Sequence, residues 1–257
     1  MNNHLILTFA TVLLTTALYG QEISKNDIVK FKIKSITTID GDNHVQSIEY
    51  YDEMGDLIKE GRKDDDGNTE IWKVFIYDKN KKMIEERFLN NGDIDKWIKY
   101  SYNSSSQLTK KEMIESDNQV SATWTYENDV NNNRTKVKKK SGTIGSGETI
   151  YTYSGKQLIQ EETTNETIGK EEKVTYKYND KGLVIEKKTK HFYFNTTITV
   201  TYTYDDIGRL TQLDEKSSNG VSSKTTYQYD DKGLLTSQIW KSSLSKTSGK
   251  TRYVVEL

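Results

Sequence analysis

The sequence predicts an all-β fold: an antiparallel β-hairpin repeat array of about eight ~25-residue units, forming a long curled or spiral sheet. Three observations predict it. The 257 residues hold 17 tyrosines against 6 phenylalanines, with only 33% hydrophobic side chains. That balance suits sheets with one packed face better than a thick core. Tyrosines recur at near-constant spacing, each followed by turn residues. No segment beyond residue 20 shows the 3.6-residue apolar period of an amphipathic helix.

Residues 1–20 read as a signal peptide. Leu5–Leu18 is an apolar run with Tyr19 and Gly20 behind it, and charge begins at Glu22. The run is too short to span a bilayer comfortably and suits the apolar region of an export leader. The expected location is therefore exported: periplasmic, cell-surface or secreted. No transmembrane helix is expected in the mature chain. Residues 21–47 form an N-terminal cap region in which Val29, Phe31 and Ile33 alternate as a strand.

The repeats occupy residues 48–245. Their anchors are Tyr51, Tyr77, Tyr102, Tyr126, Tyr153, Tyr178, Tyr204 and Tyr229, spaced by 26, 25, 24, 27, 25, 26 and 25 residues. An aromatic residue stands two positions before seven of them, so two rings share one strand face. Asp or Asn usually follows, then Gly at the fourth position, as in Tyr204, Asp205 and Gly208. Asp bonds the local backbone and Gly accepts positive φ, so each unit reads as a hairpin. These turns are expected at residues 52–55, 78–81, 103–106, 179–182, 205–208 and 230–233. Unit four carries two extra turn residues after Tyr126, and unit five is one residue short before Leu158. Residues 246–257 supply a closing strand. About sixteen repeat strands exceed what a filled barrel can hold, which favours the curled open sheet.

The segments Tyr202–Thr211 (YTYDDIGRLT), Tyr227–Thr236 (YQYDDKGLLT) and Tyr176–Val184 (YKYNDKGLV) resemble the RHS or YD-repeat family. The resemblance covers about residues 45–241. It implies exported or surface proteins whose hairpins wind into a hollow shell, and several members carry a toxin released by a self-cleaving segment. This chain shows no such segment. Residues 49–55 and 90–93 also resemble MORN-type hairpin repeats.

The composition excludes several functions. With 37 basic and 38 acidic side chains the net charge is −1, so no nucleic-acid partner is expected. Zero cysteines exclude disulfides and thiol chemistry, and no cofactor is implied. Asp64, Asp65, Asp66, Asn68 and Glu70 are oxygen-rich, but a hairpin turn accounts for them, so no metal site is expected. Glu85–Glu86, Glu161–Glu162 and Glu171–Glu172 fall on alternating strand faces, and His44 and His191 lie far apart. No catalytic residue is therefore expected, and the chain is not expected to be an enzyme. The candidate binding residues are basic: Arg134, Lys136, Lys138, Lys139 and Lys140, with Lys187, Lys188 and Lys190 two hairpins away. They point to a carbohydrate, acidic in character, or another surface protein. The expected function is a non-enzymatic structural or ligand-binding surface at the cell envelope or outside the cell. The alternatives are an outer-membrane β-barrel or a shell-like remnant of a toxin-type RHS protein.

Overall fold

A computed structural model describes residues 23–142, 145–243 and 248–257. The expected export leader, residues 1–20, lies outside the described residues. The described chain is one short helix and an 18-stranded antiparallel sheet. The strands are β1 (Ser35–Ile39), β2 (Val45–Tyr51), β3 (Leu57–Lys63), β4 (Thr69–Tyr77), β5 (Met83–Asn90) and β6 (Asp93–Tyr102). They continue as β7 (Leu108–Glu115), β8 (Val120–Asn128), β9 (Arg134–Ser141), β10 (Gly147–Ser154), β11 (Gln157–Asn165) and β12 (Gly169–Tyr178). The last six are β13 (Val184–His191), β14 (Thr196–Tyr204), β15 (Leu210–Ser217), β16 (Ser222–Tyr229), β17 (Leu235–Ser242) and β18 (Ser248–Glu256).

The sheet does not stay open. Each strand pairs with its sequence neighbours, and β1 also pairs with β18, from Ser35 opposite Glu256 to Ile39 opposite Arg252. The result is a closed up-and-down barrel rather than a spiral. Closure satisfies the backbone groups of both edges, which an open array leaves free to recruit other chains. Closure here makes a wide barrel rather than a packed one, because eighteen strands are more than side chains can fill. Eighteen strands about 4.8 Å apart enclose a circle about 27 Å across before tilt widens it. The substantial contacts between elements all join ladder neighbours.

A second correction concerns the cap region. Residues Lys25–Phe31 form a helix, α1, not a strand. Ser24 caps it, accepting a hydrogen bond from the Asp27 backbone N–H at 3.1 Å, and Lys32 ends it in the left-handed region at φ 54°. Seven residues are too few to display a helical period, so the alternation of Val29, Phe31 and Ile33 was misleading. Ile28 and Ile33 pack with Ile36 of β1 and Leu234.

The six expected turns all close as four-residue turns. The fourth residue's N–H donates to the first residue's carbonyl, for example Gly208 to Asp205 at 3.0 Å. The Asp205 carboxylate also accepts from the N–H groups of Ile207 and Arg209, at 3.2 and 2.8 Å. The fourth position has φ between 61° and 90° in these turns, and Lys81 and Ser106 adopt it without being glycine. A left-handed conformation costs a residue with a Cβ roughly 1–2 kcal/mol. Changing exposed Ser106 to Gly is therefore expected to raise stability by up to about 1 kcal/mol, after glycine's own entropy cost. A higher urea midpoint at unchanged m-value would show it.

Unit four is corrected in register. Asn128, not Tyr126, pairs with the first return-strand residue, Arg134, as Tyr102 pairs with Leu108 and Tyr204 with Leu210. The turn is then Asp129–Asn132, of normal length, and Asn132 takes φ 66°. With Asn128 in place the anchor spacings become 26, 25, 26, 25, 25, 26 and 25. The substitution keeps the anchor's chemistry. The hydroxyl groups of Tyr77, Tyr102, Tyr178, Tyr204 and Tyr229 donate to the carbonyls of Leu57, Met83, Leu158, Val184 and Leu210, one hairpin back, at 2.6–2.9 Å. Asn128 Nδ2 donates to Leu108 O at 3.3 Å in the same way. These six anchors each staple their hairpin to the one before.

Candidate functional site

The wall of the barrel has two chemically different faces, set by strand alternation. One face carries the anchors and the rings two residues before them: Phe75, Tyr100, Tyr126, Tyr151, Tyr176, Tyr202 and Tyr227. This is the packed face. Phe75, Tyr176, Tyr202, Val174, Val184 and Leu210 are buried on it. It is also the face we assign to the lumen. The buried apolar side chains lie on it, and groups such as Tyr151, Tyr227, Lys111 and Glu172 are part-covered yet desolvated by burial, as happens where protein curves around them. Helix α1 lies on this face at one rim, against Tyr51, Tyr253 and Val255.

The outward face is polar over more than half the circumference. On β13 it shows Glu186, Lys188 and Lys190; on β14, Thr197, Thr199, Thr201 and Thr203; on β15, Gln212, Asp214 and Lys216. Lys224, Thr226 and Gln228 follow on β16.

The inner wall is not purely aromatic. A bulge after the first return-strand residue brings a chosen side chain opposite each ring, and several of these are charged. Glu60 opposes Glu49, Glu86 opposes Phe75, Lys111 opposes Tyr100, Glu161 opposes Tyr151 and Lys187 opposes Tyr176. Most have local partners. Lys73 Nζ lies 3.6 Å from Glu60 and over the rings of Trp72, Phe75 and Phe88. Burial raises the Glu60 carboxyl above its usual range, and Lys73 opposes that rise. Tyr100 donates its hydroxyl to Glu86, and Tyr176 to buried Glu161. His191 Nδ1 sits 3.1 Å from Glu172, whose carboxyl is raised by burial.

The basic residues singled out by the sequence divide between the two faces. Lys136, Lys138, Lys140, Lys188 and Lys190 point outward, whereas Arg134, Lys139 and Lys187 point inward. The outward lysines meet acids between them: Lys136 lies 3.8 Å from Glu148, and Lys138 lies 4.0 Å from Glu127. The oxygen-rich loop behaves as a turn, with Asp64 accepting from the N–H groups of Asp66 and Asn68 at 3.1 and 2.7 Å. Inward residues Glu60 and Lys111 escaped the sequence reading, because the return-strand bulges reverse the face that simple alternation assigns.

No protein-family model and no curated protein matches the chain. Among solved structures, a porin-like protein from Bacteroides uniformis ATCC 8492 aligns with TM-score 0.47 and 10% identity, over 87% of this chain and 96% of that one. A porin-like protein from Bacteroides vulgatus ATCC 8482 gives 0.34 and 9%, over 87% and 98%. The TcdB2-TccC3-TEV structure gives 0.39 and 11%, over 81% of this chain but only 15% of that one. These likenesses are faint, and the chain spans a small part of the last. What distinguishes this wall is its own division of residue types: aromatic and charged inside, largely polar outside over β9–β18, with an apolar outward patch of Val74, Ile76, Trp97 and Ile114 on β4–β7.

Proposed function

We propose that the protein is an exported, non-enzymatic hollow shell that holds a guest molecule against its inner wall. The observation that carries this reading is the placement of the rings. A closed barrel whose exterior is largely polar from β9 to β18 gains nothing in solubility from an aromatic interior, and eighteen strands are too many for side chains to fill that interior. Paired rings and half-buried charges on a concave wall are the chemistry of a binding surface. The YD-type repeats support the same reading, since that family builds shells.

An outer-membrane barrel is the second reading, and closure favours it. It also requires an outward apolar band about 25 Å tall. The outward threonines, lysines and acids of β13–β16 stand where that band belongs, and each midplane lysine there costs roughly 2–4 kcal/mol in lipid. The inner face offers no alternative band, because Lys73, Lys111 and Lys187 interrupt it. Expression with the leader intact, followed by fractionation without detergent, tests the choice. The shell reading expects the mature chain in the soluble extracytoplasmic fraction. Recovery only from membranes with detergent would replace it with the membrane barrel.

A further inference from the structure

The inner wall of β7–β9 differs from the rest in its cations. Lys111 lies over the Tyr100 ring at 5.0 Å and the Trp124 ring at 5.7 Å. Arg134 lies over the Tyr126 ring at 4.7 Å, and its guanidinium is within hydrogen-bonding reach of the Tyr151 hydroxyl. Its buried Nε has no hydrogen-bond partner among the described residues. The inward lysines contrast in their partners: Lys73 has Glu60, whereas no ion pair is found for Lys111 or Arg134 among the described residues. The two sit on strands two apart and are also offset along the wall, Lys111 level with Trp124 and Arg134 level with Asn128, so their side chains reach toward each other across Trp124 and Tyr126. Lys139 faces the same ring, directly opposite Trp124. Burial, together with repulsion from Arg134 and Lys73, pulls the Lys111 ammonium below its ordinary range, while Glu86 partly opposes this.

We infer that Lys111 and Arg134 form an anion subsite on the inner wall that takes the carboxylate or sulfate group of an acidic saccharide. The inference rests on the shell reading. An anion held against the two cations offsets their mutual repulsion, with Lys111 Nζ and the outer edge of the Arg134 guanidinium as its donors. The surroundings select a saccharide over an acidic peptide. The hydroxyls of Tyr100 and Tyr151 and the carboxylate of Glu86 border the cations, and they match a ligand with one anionic group among hydroxyls. A run of carboxylates would meet Glu86, two strands from Lys111.

The test is calorimetry on the mature chain with four probes: a hyaluronan tetrasaccharide (carboxylate only), a heparin tetrasaccharide (carboxylate and sulfate), cellotetraose (neutral) and a tetraglutamate peptide. At least one acidic tetrasaccharide is expected to bind at least tenfold tighter than cellotetraose, and the two acidic probes identify the preferred group. Lys111→Gln and Arg134→Gln should each weaken it tenfold or more, Arg134→Lys less, and outward Lys188→Gln/Lys190→Gln less than twofold. Circular dichroism confirms that each variant is folded, and a variant that does not fold is replaced by Arg134→Lys and Lys111→Met. No binding by either acidic saccharide, unchanged affinity in both inward variants, or a preference for the peptide would overturn the subsite. Fractionation tests the shell separately, so either idea can fail alone.

Discussion

Raising the pH is expected to unfold the barrel in one steep step that begins near pH 10. Burial raises the phenol pKa of Tyr77, Tyr100, Tyr102, Tyr126, Tyr151, Tyr153, Tyr178, Tyr204, Tyr227 and Tyr229, and those of Tyr126, Tyr151 and Tyr229 reach about 12. In the unfolded chain the same groups ionise near 10. The folded state therefore holds more protons than the unfolded one above that value. The contribution to stability is complete below pH 10 and is lost as pH rises through the folded values, toward 12 and beyond.

Each tyrosine neutral in the fold but ionised in the unfolded chain steepens the loss by about 1.4 kcal/mol per pH unit. Many of these rings are half exposed, so solvent screening reduces their share. Several acting together still exhaust a domain stability of roughly 5–15 kcal/mol within one or two pH units. Tyrosinate absorbance and far-ultraviolet circular dichroism, followed in one titration, should change together. Gradual tyrosine ionisation near pH 10 with the sheet intact would show that the rings are open to water and the inner wall is not packed.

The same rings explain what the sequence made legible. Aromatic-x-Tyr followed by Asp and Gly sets a strand face and a turn within ten residues, so the hairpins could be read locally. The return strands could not. At Leu108 the ladder skips Thr109, pairing Lys110 with Ser101 and Lys111 with Tyr100. Counting by twos from Leu108 puts Lys110 inward, one residue off, and the inward charges look like noise on a solvated strand. Unit four failed for a related reason: the rule sought a ring, whereas the fold uses the hydrogen-bond donor at the ring's tip, which Asn128 also provides. Closure lay furthest from view. It depends on β1 meeting β18 across more than two hundred residues, and no local pattern encodes that contact. Closure also bears on stability. Tyr51 belongs to no free end: it packs in the α1 cluster, so Tyr51→Ala should cost more than a terminal repeat residue would.

Deleting Ile23–Phe31 is expected to open the barrel at the β1–β18 seam and convert monomers into concentration-dependent oligomers. This seam joins strands with no hairpin between them, and its ladder is five pairs long against six for β13–β14 and seven for β14–β15. Helix α1 holds it. Ile28, 4% exposed, packs with Ile33, Ile36 and Leu234, linking β1 to the turn before β17. Lys25 pairs with buried Asp56 beyond β2, and Lys81 then remains 3.7 Å from that carboxylate. Gly55 admits the helix, because a Cβ there would lie 2.9 Å from Val29 Cγ2. Losing the Ile28 contacts alone costs roughly 2–5 kcal/mol, and weakening the partner of a buried carboxylate adds to it. An opened seam bares the edges of β1 and β18, which pair most readily with the same edges of another copy. Light scattering after size exclusion should show the shift. Because the chain has no cysteine, Thr37→Cys with Val254→Cys, directly opposite in the seam, gives a clean rescue: oxidation should restore the monomer to the deleted chain. A deletion that stays monomeric without the crosslink would mean the five-pair ladder closes the wall unaided.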